Sequence, residues 1–315
     1  MSIPRILVIT GPTATGKTTL GVLAACAFGG EVVSADSMQV YRGMDIGTAK
    51  PTVEEMDGVI HHMIDVAEPR ERFSAAAYIE LAVKCIDGIL SRGALPIIVG
   101  GTGLYIDAIV KRSSGYSPRD ESLRADLETR YDREGADALF AELQAVDPER
   151  AAKIFPADKK RVLRALEVYR ISGKTITEFD AETAQLPPRY ESDTWMLNFS
   201  DRALLYDRID RRVDMMLLDG LADEVRSLME TVPENATSMQ AIGYKELALA
   251  FRSVITHGEA VERIKRESRR YAKRQLTWLR RRSDLNVVLW DKEPLASDYN
   301  EAVDTIRQYL TSRPC

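Results

Sequence analysis

Gly11-Pro12-Thr13-Ala14-Thr15-Gly16-Lys17-Thr18 follows the apolar run Arg5 to Thr10 and opens a helical pattern that runs from Lys17 to Phe28. This strand, glycine-bounded loop and helix fit G-x-x-x-x-G-K-[ST] in the context that motif requires. Its glycines let backbone N–H groups converge on an anion, and the helix N-terminus adds partial positive charge. Lys17 is expected to reach the outer phosphate and the Thr18 hydroxyl to hold Mg²⁺. A tight turn alone would need the glycines but neither Lys17 nor Thr18. Residues 11–18 are therefore read as a polyphosphate cradle.

Working outward, Glu31 to Ala35, His61 to Val66 and Leu95 to Val99 read as further strands, and Ser74 to Ser91 as an amphipathic helix. Strands alternating with helices predict a parallel sheet with helices on both faces. From about Tyr116 to Pro188 strand signals vanish, and helical stretches follow at Glu121 to Glu134, Ala136 to Val146 and Lys159 to Ser172. Beyond Leu186-Pro187-Pro188 come a strand at Thr194 to Phe199 and helices at Ala203 to Leu218, Leu221 to Met229 and Gly258 to Arg282. A strand at Asn286 to Trp290 and a last helix complete the chain. The expected architecture is an α/β, P-loop NTPase-like parallel sheet over residues 1–115 and 189–315, with an inserted all-helical subdomain at 116–188.

The 315 residues are 45% hydrophobic and 29% charged, in the range of globular proteins, and the formal charge of −5 excludes a uniformly basic coat. Cys26, Cys85 and Cys315 are odd in number and widely spaced, and with three histidines they make no finger pattern. No apolar run approaches the roughly 18 residues of a membrane span, and no secretory signal precedes the first strand. A cytoplasmic protein without membrane contact is expected.

A switch ATPase usually carries an apolar strand ending in an Asp that helps hold Mg²⁺. Here Leu95 to Val99 ends in Gly100-Gly101-Thr102-Gly103, and the strand ending in a carboxylate is Glu31 to Asp36. In a parallel sheet both loops lie beside the cradle. Asp36 is then either a general base acting on a nucleophile or a turn cap. Gly100 to Gly103 is either a close approach to ligand, with Thr102 as hydroxyl donor, or an ordinary strand-to-helix turn.

Positive charge is concentrated in one place. Arg263 to Arg282 holds ten Lys or Arg against Glu267 alone, with Tyr271 and Trp278 as aromatic faces. Such a helix suits a phosphate backbone and stacked bases, although charge runs are often solvated faces with acidic neighbours. Lys159-Lys160-Arg161-Val162-Leu163-Arg164 is a second basic cluster, so the insertion could act as a clamp on nucleic acid.

Together the motifs resemble the bacterial tRNA dimethylallyltransferase family along nearly the whole chain. Besides residues 11–18, the similarity rests on Asp36-Ser37-Met38-Gln39-Val40-Tyr41-Arg42-Gly43-Met44-Asp45-Ile46-Gly47-Thr48-Ala49-Lys50 and His61-His62-Met63-Ile64-Asp65. It continues through Gly100 to Tyr105, Arg164 to Val168, Gln240-Ala241-Ile242-Gly243-Tyr244-Lys245-Glu246 and Lys273 to Arg280. Departures are small: Lys160 stands where the family more often has Gln, and Thr15 replaces a frequent Ser. Cys and His for a C-terminal zinc finger of the eukaryotic kind are absent.

The resemblance implies transfer of a dimethylallyl group from dimethylallyl diphosphate to N6 of adenine 37, in tRNAs reading codons that start with U. The cradle would hold the diphosphate leaving group with Mg²⁺, and Asp36 would be the general base, with Thr102 and Arg212 completing the catalytic set. Arg208 lies on nearly the same helical face as Arg212. At the adenine the resemblance implies Asp36, Ser37, Met38, Gln39 and Thr102. For the rest of the tRNA anticodon stem-loop it implies Arg124, Lys160, Arg161, Arg164, Gln240, Gly243, Tyr244, Lys245, Lys273, Arg274, Gln275, Trp278 and Arg280. The adenine would be flipped into the pocket. A monomer with no obligate protein partner is expected. The alternatives are an adenylate isopentenyltransferase acting on free nucleotides, an RNA-binding NTPase, and a P-loop small-molecule kinase.

Overall fold

Strand β1 (Arg5–Thr10) is apolar on both sides because both of its faces are covered. Leu7 and Ile9 enter one hydrophobic cluster, while Ile6 and Val8 enter another on the opposite face. A computed structural model of the protein, describing residues 3–111 and 120–313, builds a sheet around this strand. Its other strands are β2 (Gly30–Ser34), β3 (His61–His62), β4 (Leu95–Gly100), β5 (Glu191–Phe199) and β6 (Leu285–Trp290), in the order β3-β2-β4-β1-β5-β6. Every pairing is parallel. The loops after β1, β2 and β4 therefore leave from one edge of the sheet, where ligands bind in such folds.

The helices, in chain order, are α1 (Lys17–Phe28), α2 (Val53–Met56), α3 (Ala75–Ser91), α4 (Gly103–Val110), α5 (Glu121–Glu134), α6 (Ala136–Val146) and α7 (Pro148–Ala151). They continue with α8 (Lys159–Ser172), α9 (Ile176–Ala184), α10 (Arg202–Leu218), α11 (Leu221–Thr231), α12 (Tyr244–Phe251), α13 (His257–Leu279) and α14 (Ala296–Ser312). Residues of α1, α10, α13 and α14 cover one face of the sheet, and those of α3 and α4 cover the other. A further cluster joins Val40, Tyr41 and Met44, beyond β2, to α11, α12 and α13.

Two compact units result: Met1–Val110 with Tyr190–Cys315, and Lys111–Arg189. The expected junction at residues 115 and 116 lies outside the described residues. In the second unit Leu127, Leu139, Leu143, Ile154, Val162, Leu163 and Leu166 form a core of its own. Asp120, Asp147 and Asp158 cap its helices by accepting from Leu123, Arg150 and Arg161 N–H.

Two expectations are corrected. The strand read over His61 to Val66 ends after two residues, because Met63 and Asp65 take left-handed φ of 63° and 55°. The chain instead folds back, with Val66 and Ala67 N–H bonded to Val40 O. The basic helix stops at Leu279, and Arg280 to Arg282 continue as a turn. The helix α4 starts at the glycines that end β4, so that loop is the strand-to-helix turn offered for it as one alternative.

Candidate active site

The cradle is held from several directions. Gly16 has φ 85°, and a Cβ there would lie 2.0 Å from the Tyr299 hydroxyl, so only glycine fits. Ala14 also takes positive φ, 65°. Trp290 Nε1 donates to Thr15 O (3.1 Å), Arg208 Nε to Ala14 O (3.0 Å), and Thr13 N donates to Gln275 Oε1 (2.9 Å). Lys17 Nζ donates to Pro12 O at 2.7 Å. Protein surrounds this lysine on most sides, and its pKa falls to about 7, first through burial and then through the nearby Arg212, with Asp36 acting in the opposite direction. Arg212 Nη1 donates to Thr13 Oγ1 (3.2 Å), and burial lowers its pKa as well, against the raising influence of Asp36.

Asp36 caps the turn after β2, one of the two readings offered for it. Oδ1 accepts from Met38 N (2.8 Å) and Gln39 N (3.4 Å), which fixes the turn after β2. Among the described residues nothing hydrogen-bonds Oδ2. Ala35 N donates to Val99 O (2.8 Å) and Thr102 N to Ala35 O (3.0 Å), so the ends of β2 and β4 are tied together. Thr102 Oγ1 accepts from Ser37 N (3.0 Å), which puts the threonine beside the carboxylate.

Two cavities meet here. One of about 700 Å³ opens over Lys17, Thr18, Gly100, Gly101, Arg208 and Arg211. The other, about 320 Å³, is lined by Ser37, Met38, Gln240, Gly243, Lys245, Ser268 and Arg274. Thr13, Asp36, Thr48, Arg212, Met216 and Tyr271 line both. A phosphorylated group in the first and a nucleophile in the second would therefore face each other across Asp36. Tyr271 keeps its proton, because burial first and the Asp36 charge second raise its pKa, and its hydroxyl interacts with Thr102 and Gln275.

The wall formed by residues 45–50 depends on residues that the sequence reading gave no role. Glu224 accepts from Asp45 N (2.8 Å), Ile46 N (2.8 Å) and Gly47 N (3.1 Å), and from Tyr244 Oη (2.5 Å). Lys50 Nζ donates to Tyr41 O (2.9 Å), Asp45 Oδ1 (2.5 Å) and Asp65 Oδ1 (2.6 Å). Glu224 carried no sequence signal, since its partners at 45–47 lie far off along the chain. Lys50 closes a string that was recognised without its bonding being visible.

Several side chains expected at the nucleic acid also make bonds inside the protein. Gln39 accepts from Ser34 Oγ (3.0 Å) and donates to Ala49 O (3.1 Å), bonds that shape its own loop. Gln275 uses Oε1 on Thr13 and Nε2 on Gly101 O (3.0 Å). Tyr244 is fully buried, with its hydroxyl on Glu224. Trp278 donates Nε1 to Asp107 Oδ2 (2.7 Å) and packs on α4 where Gly103 leaves room.

The basic segment is half neutralised. Lys265 pairs with Asp214, Arg269 with Asp210, Arg266 and Arg270 with Glu267, and Arg282 with Asp107 and Asp284. Arg263 acts on the Glu259 carboxylate one turn earlier, Lys273, Arg280 and Arg281 have no carboxylate partner among the described residues, and Arg274 lies over the Tyr271 ring. In the second unit Arg124 and Arg164 converge on the buried Glu167, Arg161 pairs with Asp158, and Lys160 is exposed. Gln240 Nε2 donates to Glu234 O (2.9 Å), Gly243 N to Glu246 Oε2 (2.8 Å), and Lys245 lies 3.6 Å from Glu246.

Fold and site define a P-loop α/β protein in which a phosphate cradle and a carboxylate face each other across two joined cavities. The family model for IPP transferase matches residues 39–282, and the chain belongs to that family. It is 48% identical over 294 residues to a tRNA dimethylallyltransferase of Oceanobacillus iheyensis, covering 93% of each chain. With the tRNA dimethylallyltransferase of Halalkalibacterium halodurans it shares 44% over 310 residues, 98% of this chain and 97% of that one. Among solved structures it resembles the full-length tRNA isopentenylpyrophosphate transferase of Bacillus halodurans, with TM-score 0.73, 42% identity, and 98% and 97% of the two chains covered. A eukaryotic dimethylallyltransferase acting on tRNA gives TM-score 0.80 at 28% identity, over 99% of this chain and 80% of that one. Among the described residues no helix is long and apolar enough to cross a membrane, and no three His, Cys, Asp or Glu side chains gather as metal ligands.

Proposed function

We propose that the protein is a tRNA dimethylallyltransferase, moving the dimethylallyl group of dimethylallyl diphosphate to N6 of adenine 37, in tRNAs reading codons that start with U. The observation that carries this reading is Asp36 at the neck shared by the two cavities, opposite Lys17 and Arg212. The diphosphate lies in the cradle and the flipped adenine in the smaller cavity. As the N6–carbon bond forms, the carbon–oxygen bond breaks, and its electron pair leaves on diphosphate, where Lys17 and Arg212 meet the growing charge. The N6 proton passes to Asp36 Oδ2, which the turn leaves available. Thr102 holds Ser37, and with it the turn that aims the carboxylate.

Thr18 lines the cradle's cavity beside Lys17. One hydroxyl plus diphosphate oxygens and water is a donor set that suits Mg²⁺, which binds through few protein ligands. When bound it would neutralise charge on the leaving group. The unpaired cations at Lys273, Arg274, Arg280 and Arg281 suit the phosphates of an anticodon stem-loop, and the helical second unit serves as a clamp. A monomer working in the cytoplasm belongs to this reading, and residues of one chain line both cavities.

The test is transfer of label from dimethylallyl diphosphate, with Mg²⁺, to unmodified tRNA carrying A36-A37-A38 or to free AMP, for wild type and Asp36→Ala. Label in tRNA that disappears with Asp36→Ala is the expected result. Label in AMP alone would indicate an adenylate isopentenyltransferase, and ATP turnover without transfer would indicate a kinase or NTPase.

A further inference from the structure

Where α7 gives way to α8, the chain turns Ile154 into the core of the second unit, 7% exposed, and Phe155 outward, 84% exposed. Phe155 is the most exposed large apolar side chain among the described residues. The turn that presents it is fixed, since Asp158 N donates to Phe155 O (2.9 Å) and Asp158 in turn caps α8. Isolated exposed apolar residues are common and need no explanation. This one has particular surroundings. Lys159 lies over the Tyr131 ring, 5.0 Å from its centroid, and the Tyr131 hydroxyl reaches Pro156 O (3.5 Å). Lys153 and Lys160 flank the turn with no carboxylate partner among the described residues, and Arg161 is 66% exposed although paired with Asp158. An aromatic face on a rigid turn among cations is the composition of surfaces that hold unpaired nucleotides, with rings stacking on bases and cations meeting phosphates.

We infer that Phe155 is a stacking platform for an unpaired base of the RNA, with Lys153 and Lys160 holding the adjoining phosphates. The inference rests on the proposed tRNA substrate and adds a residue and a mode of contact to the clamp. A partner protein fits less well, because the exposed apolar area of this turn is a single ring in a stretch that also carries Lys153, Lys160 and Lys159, the last paired with Asp132, rather than a continuous patch.

Fluorescence anisotropy with the full-length protein tests it, using an anticodon stem-loop RNA and a blunt duplex of the same stem without the loop. Phe155→Ala should weaken binding of the stem-loop by roughly five- to 150-fold, the span of one lost base–aromatic stack. Phe155→Tyr should restore most of the affinity, and the salt slope should not change, because no charge is removed. Binding of the duplex should be unaffected. At 84% exposure the ring supports little of the fold, and an unchanged Tm checks this. Equal weakening on stem-loop and duplex would overturn stacking on an unpaired base. Tight wild-type binding that Phe155→Ala leaves unchanged would overturn the inference alone. Failure of the wild-type protein to bind the stem-loop would overturn the proposed substrate and the inference with it.

Discussion

Arg212 and Lys17 converge on the phosphate loop within reach of the Asp36 charge, and the arginine's charge joins burial in bringing the lysine to a pKa of about 7. The normal value is 10.5, so the folded protein without ligand binds this proton more weakly than the unfolded chain does. Below about pH 7 the charged lysine therefore destabilises the fold in full, and the penalty fades as pH rises toward 10.5. Lys17→Met should raise Tm at pH 6 by more than at pH 10. A diphosphate restores the proton, so binding at pH 8 should take up a proton, measurable by calorimetry in buffers of different ionisation enthalpy. Binding heats independent of the buffer would contradict this.

Asp36→Asn keeps an oxygen for the Met38 and Gln39 N–H groups and so keeps the turn. It removes the acceptor for the nucleophile's proton. Single-turnover transfer should slow by roughly 10² to 10⁴, with donor affinity preserved. A loss of less than tenfold would remove Asp36 from the role of base.

Glu293 pairs with Arg208 and, at 2.9 Å, with Arg211, and all three line the cradle's cavity. The carboxylate thus occupies two cations that could meet a diphosphate. Glu293→Gln should make inorganic diphosphate a stronger inhibitor by roughly three- to tenfold, the scale of one exposed charge. An unchanged or weaker inhibition constant would show that the two arginines do not face the ligand.

Glu224→Ala leaves three N–H groups and the Tyr244 hydroxyl without their acceptor. Unmet buried groups cost about 1–3 kcal/mol each where water cannot replace the partner. A lower Tm is expected, and KM for both substrates should rise because residues 45–48 help wall both cavities. A Tm equal to wild type would mean that the wall holds without this carboxylate.

Lys273→Ala with Arg274→Ala should reduce the salt slope of tRNA binding by about 1.4–1.8, two contacts at roughly 0.7–0.9 each. Lys265→Ala with Arg269→Ala should leave the slope near wild type, because Asp214 and Asp210 already neutralise those cations. Equal effects of the two pairs would mean that net charge alone sets the affinity.

What the sequence revealed was what neighbouring residues decide. The cradle, its strand and its helix are contiguous, and the apolar periodicity of α5, α6 and α8 marks them without any tertiary knowledge. Asp36 at a strand end was recognisable for the same reason. The intramolecular bonds of Gln275 and Trp278 were not legible, because their partners lie 262 and 171 positions away, and only the fold shows these polar atoms in use. For the same reason only the fold shows which cations of the basic segment are paired, since Asp210 and Asp214 sit on another helix. The strand expected at His61 to Val66 failed at two left-handed residues, Met63 and Asp65, whose conformation no composition rule announces.

Gln275 has one amide that reads as a linkage device. Its oxygen holds Thr13 of the phosphate loop, its nitrogen holds Gly101, and its backbone follows directly after Lys273 and Arg274. A polyanion pulling on those two cations tugs the same helical turn that clasps the loop. Whatever free energy this clasp transmits from one ligand to the other must flow equally in reverse, so an allylic donor and an RNA would sense each other's arrival through a single carboxamide.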